Sequence, residues 1–203
     1  MHKTFQTASD AFHDLYWHIV RDGIDFAGTK ALFNVGFEIE VPNANAILDS
    51  KVKRNWSYAY AEAEWQWYLS GDPNIKKLGE IYGKVPAIWK RMADGQGNVN
   101  SNYGYQWQRG YGHKSQLDYV IELLKDNPET RQAAISIYDC KEHLDYKTDT
   151  PCTYAVQFTV LDGKLNMSVV MRSNDLWYGF CNDQYQFSNL QKLVATETGY
   201  EMG

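Results

Sequence analysis

The sequence predicts a mixed α/β domain of the α+β kind, and three observations carry that reading. Helical and extended patterns are interleaved, but they never settle into the regular strand–helix–strand alternation of a doubly wound sheet. Two strand-like runs, residues 154–161 and 164–171, are joined by Asp162-Gly163, a strong two-residue hairpin signal. No Gly-x-Gly-x-x-Gly or Gly-x-x-x-x-Gly-Lys motif occurs, so nothing points to a dinucleotide or a nucleoside triphosphate. The 203 residues are enough to bury one full core. No repeat, low-complexity tract or Pro/Gly/Ser linker divides them, so residues 1–203 are expected to form a single domain.

The elements follow in order. Residues 7–22 read as a helix, with Phe12, Leu15, Ile19 and Val20 at helical spacing and Gly23 as the stop. Residues 29–41 are rich in strand formers and read as extended, alternating over their second half. Residues 56–69 read as an aromatic-rich helix ending at Ser70-Gly71-Asp72-Pro73, with Glu64 among Trp65, Trp67 and Tyr68. Two short helical turns are expected within residues 75–93. Residues 94–104 read as loop, marked by Asp94-Gly95 and Gly97-Asn98. An amphipathic helix over residues 118–125 is terminated by Asn127-Pro128. Strands are expected at residues 133–138, 154–161 and 164–171, and a last helix at residues 184–196.

Composition narrows the function classes. Hydrophobic content of 44% and charged content of 22% are ordinary for a soluble globular protein. Aromatic content of 15%, with seven Trp and fifteen Tyr, suits core packing first and flat ligands second. A net charge of −5 argues against a surface that coats nucleic acid, though not against a local phosphate site. There is no apolar run near the length of a membrane span and no signal peptide at the N-terminus, so no membrane partner is expected. Cys140, Cys152 and Cys181 lack metal-like spacing and are odd in number; a reducing cytoplasm fits and keeps the thiols available. The histidines, at positions 2, 13, 18, 113 and 143, also lack metal spacing, and no metal is expected.

Two segments carry chemistry. Thr150-Pro151-Cys152-Thr153 offers a nucleophile, and Met171-Arg172-Ser173-Asn174-Asp175 through Gly179 to Asp183 offers a fixed cation, a hydroxyl and two carboxylates. A cysteine alone is most often an inert small hydrophobe, and an Arg-Ser pair alone is most often a surface arginine beside a capping serine. Together they can hold a phosphorylated, ring-bearing substrate against a thiolate. That combination favours an enzyme over a binding module.

These residues are also where the chain resembles a known family. Pro151-Cys152 with Gln157-Phe158, then Arg172-Ser173-x-Asp175-x-x-x-Gly179, is similar to the nucleophile and phosphate segments of the thymidylate synthase superfamily. The resemblance runs from about residue 26 to the end of the chain. It includes Ala63-Glu64-Trp65-Gln66-Trp67-Tyr68-Leu69, the stretch from Ile88-Trp89 to Asn102-Tyr103-Gly104, and Asn127-Pro128-Glu129-Thr130-Arg131. Four residues after Gly179, where thymidylate synthases place an Asn that reads the uracil edge, this chain has Asp183. With Thr153 rather than His after the nucleophile, and with the wording of Ser101-Asn102-Tyr103-Gly104 and Met171-Arg172-Ser173-Asn174-Asp175, this resembles the phage deoxycytidylate hydroxymethylases.

The resemblance implies a mixed sheet flanked by helices, with one sheet face in a homodimer interface. It implies transfer of a one-carbon unit from 5,10-methylenetetrahydrofolate to C5 of dCMP, with water, in a phage-infected cytoplasm. The alternatives are dUMP or CMP as substrate, methylation in place of hydroxymethylation, and a catalytically weak nucleotide-binding homologue. Cys152 is implied as nucleophile and Glu64 as general base, with Tyr103 near C5 proton transfer. Asp183 would read the pyrimidine edge as both a binding and a catalytic group. Arg172, Ser173 and Lys30 would hold the phosphate, joined by Arg131 from the partner subunit. The family's second arginine beside Arg131 is Gln132 here, which removes one phosphate contact. Trp89, Asp175 and Gly179 are implied on the folate side. The capping alternative for the acid is a helix starting near Gln184, with Asp183 or Asn182 as its N-cap. The chain stops at Thr198-Gly199-Tyr200-Glu201-Met202-Gly203, just before the family's His-x-Tyr sugar-binding motif. That motif and the folate-closing segment are therefore expected to be missing, in a short family member or an incomplete sequence.

Overall fold

In the computed structural model, which describes residues 2–42, 56–110, 114–143 and 149–203, the Asp162-Gly163 hairpin forms as expected. Asp162 and Gly163 take φ of 49° and 76°, the mirror-image turn whose twist matches antiparallel strands. The chain divides into two units, Met1–Trp56 with Asn174–Leu190, and Ser57–Ser173 with Gln191–Met202.

In the first unit, β1 (His2–Phe5) lies parallel to β4 (Gly36–Ile39), in register from His2 against Gly36 to Phe5 against Ile39. Between them run α1 (Ala8–Asp22) and a small hairpin of β2 (Ile24–Phe26) and β3 (Thr29–Ala31). Thr7 caps α1 by accepting from the Asp10 N–H, and the helix buries Ala8, Ala11, Phe12 and Leu15. Phe12 packs 6.0 Å from Phe180 and 6.2 Å from Trp177, ring centroid to ring centroid. Gly23 ends the helix as expected, because a Cβ there would come within 2.3 Å of the Ile19 carbonyl oxygen.

The continuous extended segment expected over residues 29–41 is broken. Asn34 takes φ of 54° between β3 and β4, a left-handed conformation that asparagine tolerates better than most residues. β1 was not foreseen; four residues at the end of a chain carry too little pattern to signal a strand.

The second unit opens with α2 (Tyr58–Leu69), α3 (Ile75–Tyr82), α4 (Ala87–Met92), α5 (Tyr103–Gln108) and α6 (Gln116–Asp126). Its sheet has the order β5 (Ala134–Ser136), β6 (Thr153–Leu161), β7 (Lys164–Met171), β8 (Glu201–Met202), with α7 (Cys140–His143) between β5 and β6. β5, β6 and β7 are antiparallel, and β8 joins β7 in parallel. The last helix, α8 (Gly179–Thr198), supplies its first turns to the first unit and its last turns to the second. Part of the aromatic richness is core: Trp67 and Trp107 are fully buried, and Trp107 lies 6.0 Å from Trp65 and 5.7 Å from Tyr68, whereas Trp17, Phe26, Phe33 and Tyr178 are exposed. Such edge and tilted pairs add about 0.5–1.5 kcal/mol each beyond the area they bury.

The loop expected at residues 94–104 ends early, because α5 starts at Tyr103. Asn102 caps this short helix by accepting from the Tyr105 N–H at 2.8 Å. Gly104 lets it press on α2: a Cβ there would sit 2.0 Å from the Tyr68 carbonyl oxygen. Packing against α2, rather than local pattern, makes this segment helical.

Candidate active site

Cys152 and Arg172 are brought together by an irregularity in the β6–β7 pair. Counting back from the Asp162-Gly163 turn, regular pairing would set Cys152 opposite Ser173. The register shifts between Thr153 and Ala155, so Thr153 pairs with Met171. This bulge brings Arg172 onto the nucleophile segment, where its backbone N–H donates to the Cys152 carbonyl oxygen at 2.8 Å. The guanidinium follows the same segment, with Nε donating to the Pro151 oxygen at 3.1 Å and a terminal nitrogen donating to the Thr150 oxygen at 2.8 Å. The thiol is half-buried, and Arg172 and Ser173 are exposed. The five-donor fork is thus anchored along one side and still reaches solvent.

Glu64 lies on α2 and is only 4% exposed. It accepts a hydrogen bond from the Tyr60 hydroxyl at 2.5 Å, and that hydroxyl accepts from Trp89 Nε1 at 2.7 Å. Glu64 and Trp89, picked out separately in the sequence, are therefore linked through Tyr60, which sequence reasoning missed. Burial first, and the Glu64 charge second, hold the Tyr60 phenol well above its ordinary value. Trp89 is half-buried and meets Trp67 edge-on at 5.4 Å. Tyr103, buried at the start of α5, packs 5.8 Å from Tyr68.

A second missed residue is Asp149, fully buried three positions before Cys152. Its carboxylate accepts the Ser101 N–H at 2.8 Å and the Ser101 hydroxyl, and its backbone oxygen accepts Asn100 Nδ2 at 3.1 Å. These bonds tie the nucleophile segment to the loop that leads into Tyr103. Burial raises the Asp149 carboxyl above its ordinary 3.8, against the lowering effect of the Ser101 bonds. The folded protein therefore holds this proton more tightly than the unfolded chain does. The resulting stabilisation is complete below the ordinary value and is lost as pH rises through the folded one. We expect Asp149→Asn to flatten the fall of the thermal midpoint as pH rises above the ordinary carboxylate range. Midpoint-against-pH curves that stay parallel in the two proteins would refute this.

In the first unit, Asp175, Gly179 and Asp183 converge at the start of α8. Asp175 Oδ1 accepts the Tyr178 N–H at 2.6 Å, and its backbone oxygen accepts from Gly179 and Phe180 at 2.9 and 2.7 Å. A Cβ on Gly179 would touch Asp183 Oδ2 at 3.4 Å and the Asp175 Cβ at 3.7 Å, so the glycine keeps a gap between the two acids. Asn174, a third residue passed over in the sequence, donates to Asp183 Oδ2 at 2.6 Å. The expected helix start near Gln184 is corrected: α8 begins at Gly179, because the Asp175 turn winds the chain into it. Asp183 therefore lies inside the helix and not at its N-cap. Asn182 is not a cap either, and its Oδ1 accepts Trp56 Nε1 at 2.7 Å.

Two further residues are implied by the resemblance as phosphate ligands. Lys30 reaches the Gly23 oxygen at 3.4 Å and Asp25 at 3.9 Å in its own hairpin. Arg131 is exposed ahead of β5. Among the described residues no group of three or more His, Cys, Asp or Glu side chains could hold a metal ion, and His113 lies outside them. No described helix is long and apolar enough to cross a membrane.

Comparison with known proteins gives the family. A family model for thymidylate synthase matches residues 10–203. Thymidylate synthase 1 of Bacillus subtilis (strain 168) is 32% identical over 192 residues, covering 91% of this chain and 67% of that protein. The thymidylate synthase of Bacillus phage phi3T is 31% identical over 193 residues, with the same coverage of 91% and 67%. That of Corynebacterium aurimucosum is 30% identical over 199 residues, covering 95% of this chain and 72% of that one. Among solved structures, thermostable thymidylate synthase A from Bacillus subtilis aligns over 97% of this chain and 75% of its own, with a TM-score of 0.67 and 26% identity. The chain belongs to the thymidylate synthase family of enzymes, which transfer one carbon to a pyrimidine nucleotide.

Proposed function

We propose that this chain transfers a one-carbon unit to C5 of dCMP, with water as the final reactant, giving 5-hydroxymethyl-dCMP. The observation that carries the base choice is Asp183, an acid inside α8 rather than at its cap, held by the Asn174 amide at 2.6 Å. An amide donor at one oxygen favours the ionised carboxylate. An ionised carboxylate accepts from the N4 amino group of cytosine and repels O4 of uracil. 5,10-Methylenetetrahydrofolate supplies the carbon at the oxidation level of formaldehyde. The residues on its side suit it: Trp89 has its N–H satisfied by Tyr60 and offers aromatic surface, and Asp175 is an exposed acceptor for ring N–H groups.

The residues then act in sequence. The Cys152 thiolate adds to C6, forming a C–S bond and making C5 nucleophilic. Asp183 accepts from N4 and from the N3–H that forms as charge reaches the ring. Arg172 and Ser173 hold the phosphate. Glu64 takes the C5 proton through water once the new C–C bond has formed. The bond from the transferred carbon to the folate nitrogen breaks, water adds to the exocyclic carbon, the C–S bond breaks, and the thiolate returns. The product gains the elements CH2O: the donor's CH2 and one water, less two hydrogens, the C5 proton and one water proton, which end on the two folate nitrogens that held the carbon.

The chain is read as a homodimer in which Arg131 reaches the partner's phosphate, supported by its exposure ahead of β5. A second reading, dUMP methylation, is favoured by the relatives, which are named thymidylate synthases. Incubation with dCMP, dUMP or CMP and methylenetetrahydrofolate, followed by mass spectrometry of the nucleotide, separates the readings. A gain of CH2O on dCMP is expected. A gain of CH2 on dUMP would replace the proposal with methylation, and binding without any mass change would leave a nucleotide-binding homologue.

A further inference from the structure

We propose that Tyr60 is a positioning residue that couples the indole of Trp89 to the Glu64 carboxylate. The proposal rests on the reading of Glu64 as the proton-transfer carboxylate. Tyr60 and Glu64 stand four residues apart on α2, one turn along the same face. The direction of the chain follows from valence. An indole nitrogen can only donate, and a phenol has one proton. With Trp89 Nε1 donating to the Tyr60 oxygen at 2.7 Å, the phenol proton is directed to Glu64 Oε1 at 2.5 Å. Tyr82, edge-on to Tyr60 at 5.4 Å, holds the phenol ring in place.

Two consequences follow. Oε1 receives the Tyr60 proton, which orients the carboxylate on its helix face. A short O–H···O⁻ bond also favours the carboxylate form and opposes the push of burial toward the neutral acid. The phenol stays a donor throughout the working range, because burial and the adjacent charge hold its proton on. Trp89 stands on the cosubstrate side of the proposed reaction, so movement of its indole would be felt at Glu64 through this one hydroxyl.

The test is a pH titration of the Glu64 side-chain carboxyl by 13C NMR in the free protein, with the signal assigned by its loss in Glu64→Gln. Wild type is compared with Tyr60→Phe and Trp89→Phe. Tyr60→Phe is expected to move the Glu64 midpoint to higher pH, and Trp89→Phe to move it less in the same direction. The steady-state counterpart is release of tritium from C5 of the labelled nucleotide. There, Tyr60→Phe should lower kcat about tenfold, leave the nucleotide KM unchanged and shift the acid limb upward. If Tyr60→Phe loses its cooperative thermal transition, the Trp89→Phe titration carries the test. A midpoint unmoved in the folded variants overturns the inference. If the midpoint moves but wild type releases no tritium from dCMP, the coupling stands and the proposed substrate falls.

Discussion

Cys152→Ala should lose turnover by at least about three powers of ten while binding dCMP within about threefold of wild type. The asymmetry comes from what anchors the neighbouring groups. Arg172 is held by main-chain oxygens of Thr150, Pro151 and Cys152, none of which depends on the sulfur. The bulge that sets their register is also a backbone feature. Removing the thiol therefore takes away the C6 adduct and leaves the phosphate grip standing. Calorimetric binding of dCMP alongside single-turnover kinetics reads both halves of this expectation. Near-normal turnover in Cys152→Ala would sink the covalent mechanism. Loss of binding along with turnover would mean that the segment is organised by the thiol rather than by Arg172.

Where local chemistry decides the structure, it was legible in the sequence. Asp162-Gly163 demands positive φ at both positions and yields the hairpin. Thr7, the spacing of Phe12 and Leu15, and Gly23 bound α1 within a residue of expectation. Elements decided by tertiary contact were not legible. Tyr103–Gln108 has two aromatic residues and a glycine in its first turns, and becomes helical because Gly104 lies against the Tyr68 carbonyl.

The site divides the same way. Cys152 and Arg172 were identified separately, but a plain count from the hairpin turn gives the wrong partner, and the bulge that corrects it has no sequence signature here. Tyr60 could have been found as an aromatic donor four residues before Glu64 on one helix face. Asn174 sat unexamined within the arginine–serine segment. Asp149 could not have been found, because its role depends on Ser101, forty-eight positions away in the chain.

Asp183→Asn should move the preference from dCMP toward dUMP. The change is nearly isosteric, so α8 and its start at the Asp175 turn should persist, and the side chain keeps an oxygen for the Asn174 amide that now reaches Asp183 Oδ2 at 2.6 Å. What changes is the other arm. A carboxylate can only accept, which suits the N4 amino group of cytosine; an amide also donates, and can meet O4 of uracil. With dCMP the variant sets an N–H against an N–H, and with dUMP it removes a repulsion between two acceptors. A mispaired buried edge costs about 1–3 kcal/mol, so the ratio of kcat/KM values should shift by about one to two powers of ten. A purely structural role for Asp183 within α8 makes the opposite forecast, a change in stability with an unaltered ratio, because it would act on the helix and not on the ligand. Measuring kcat/KM for both nucleotides in wild type and Asp183→Asn decides between them. An unchanged ratio, or a wild-type protein that already prefers dUMP, would show that Asp183 does not select the base.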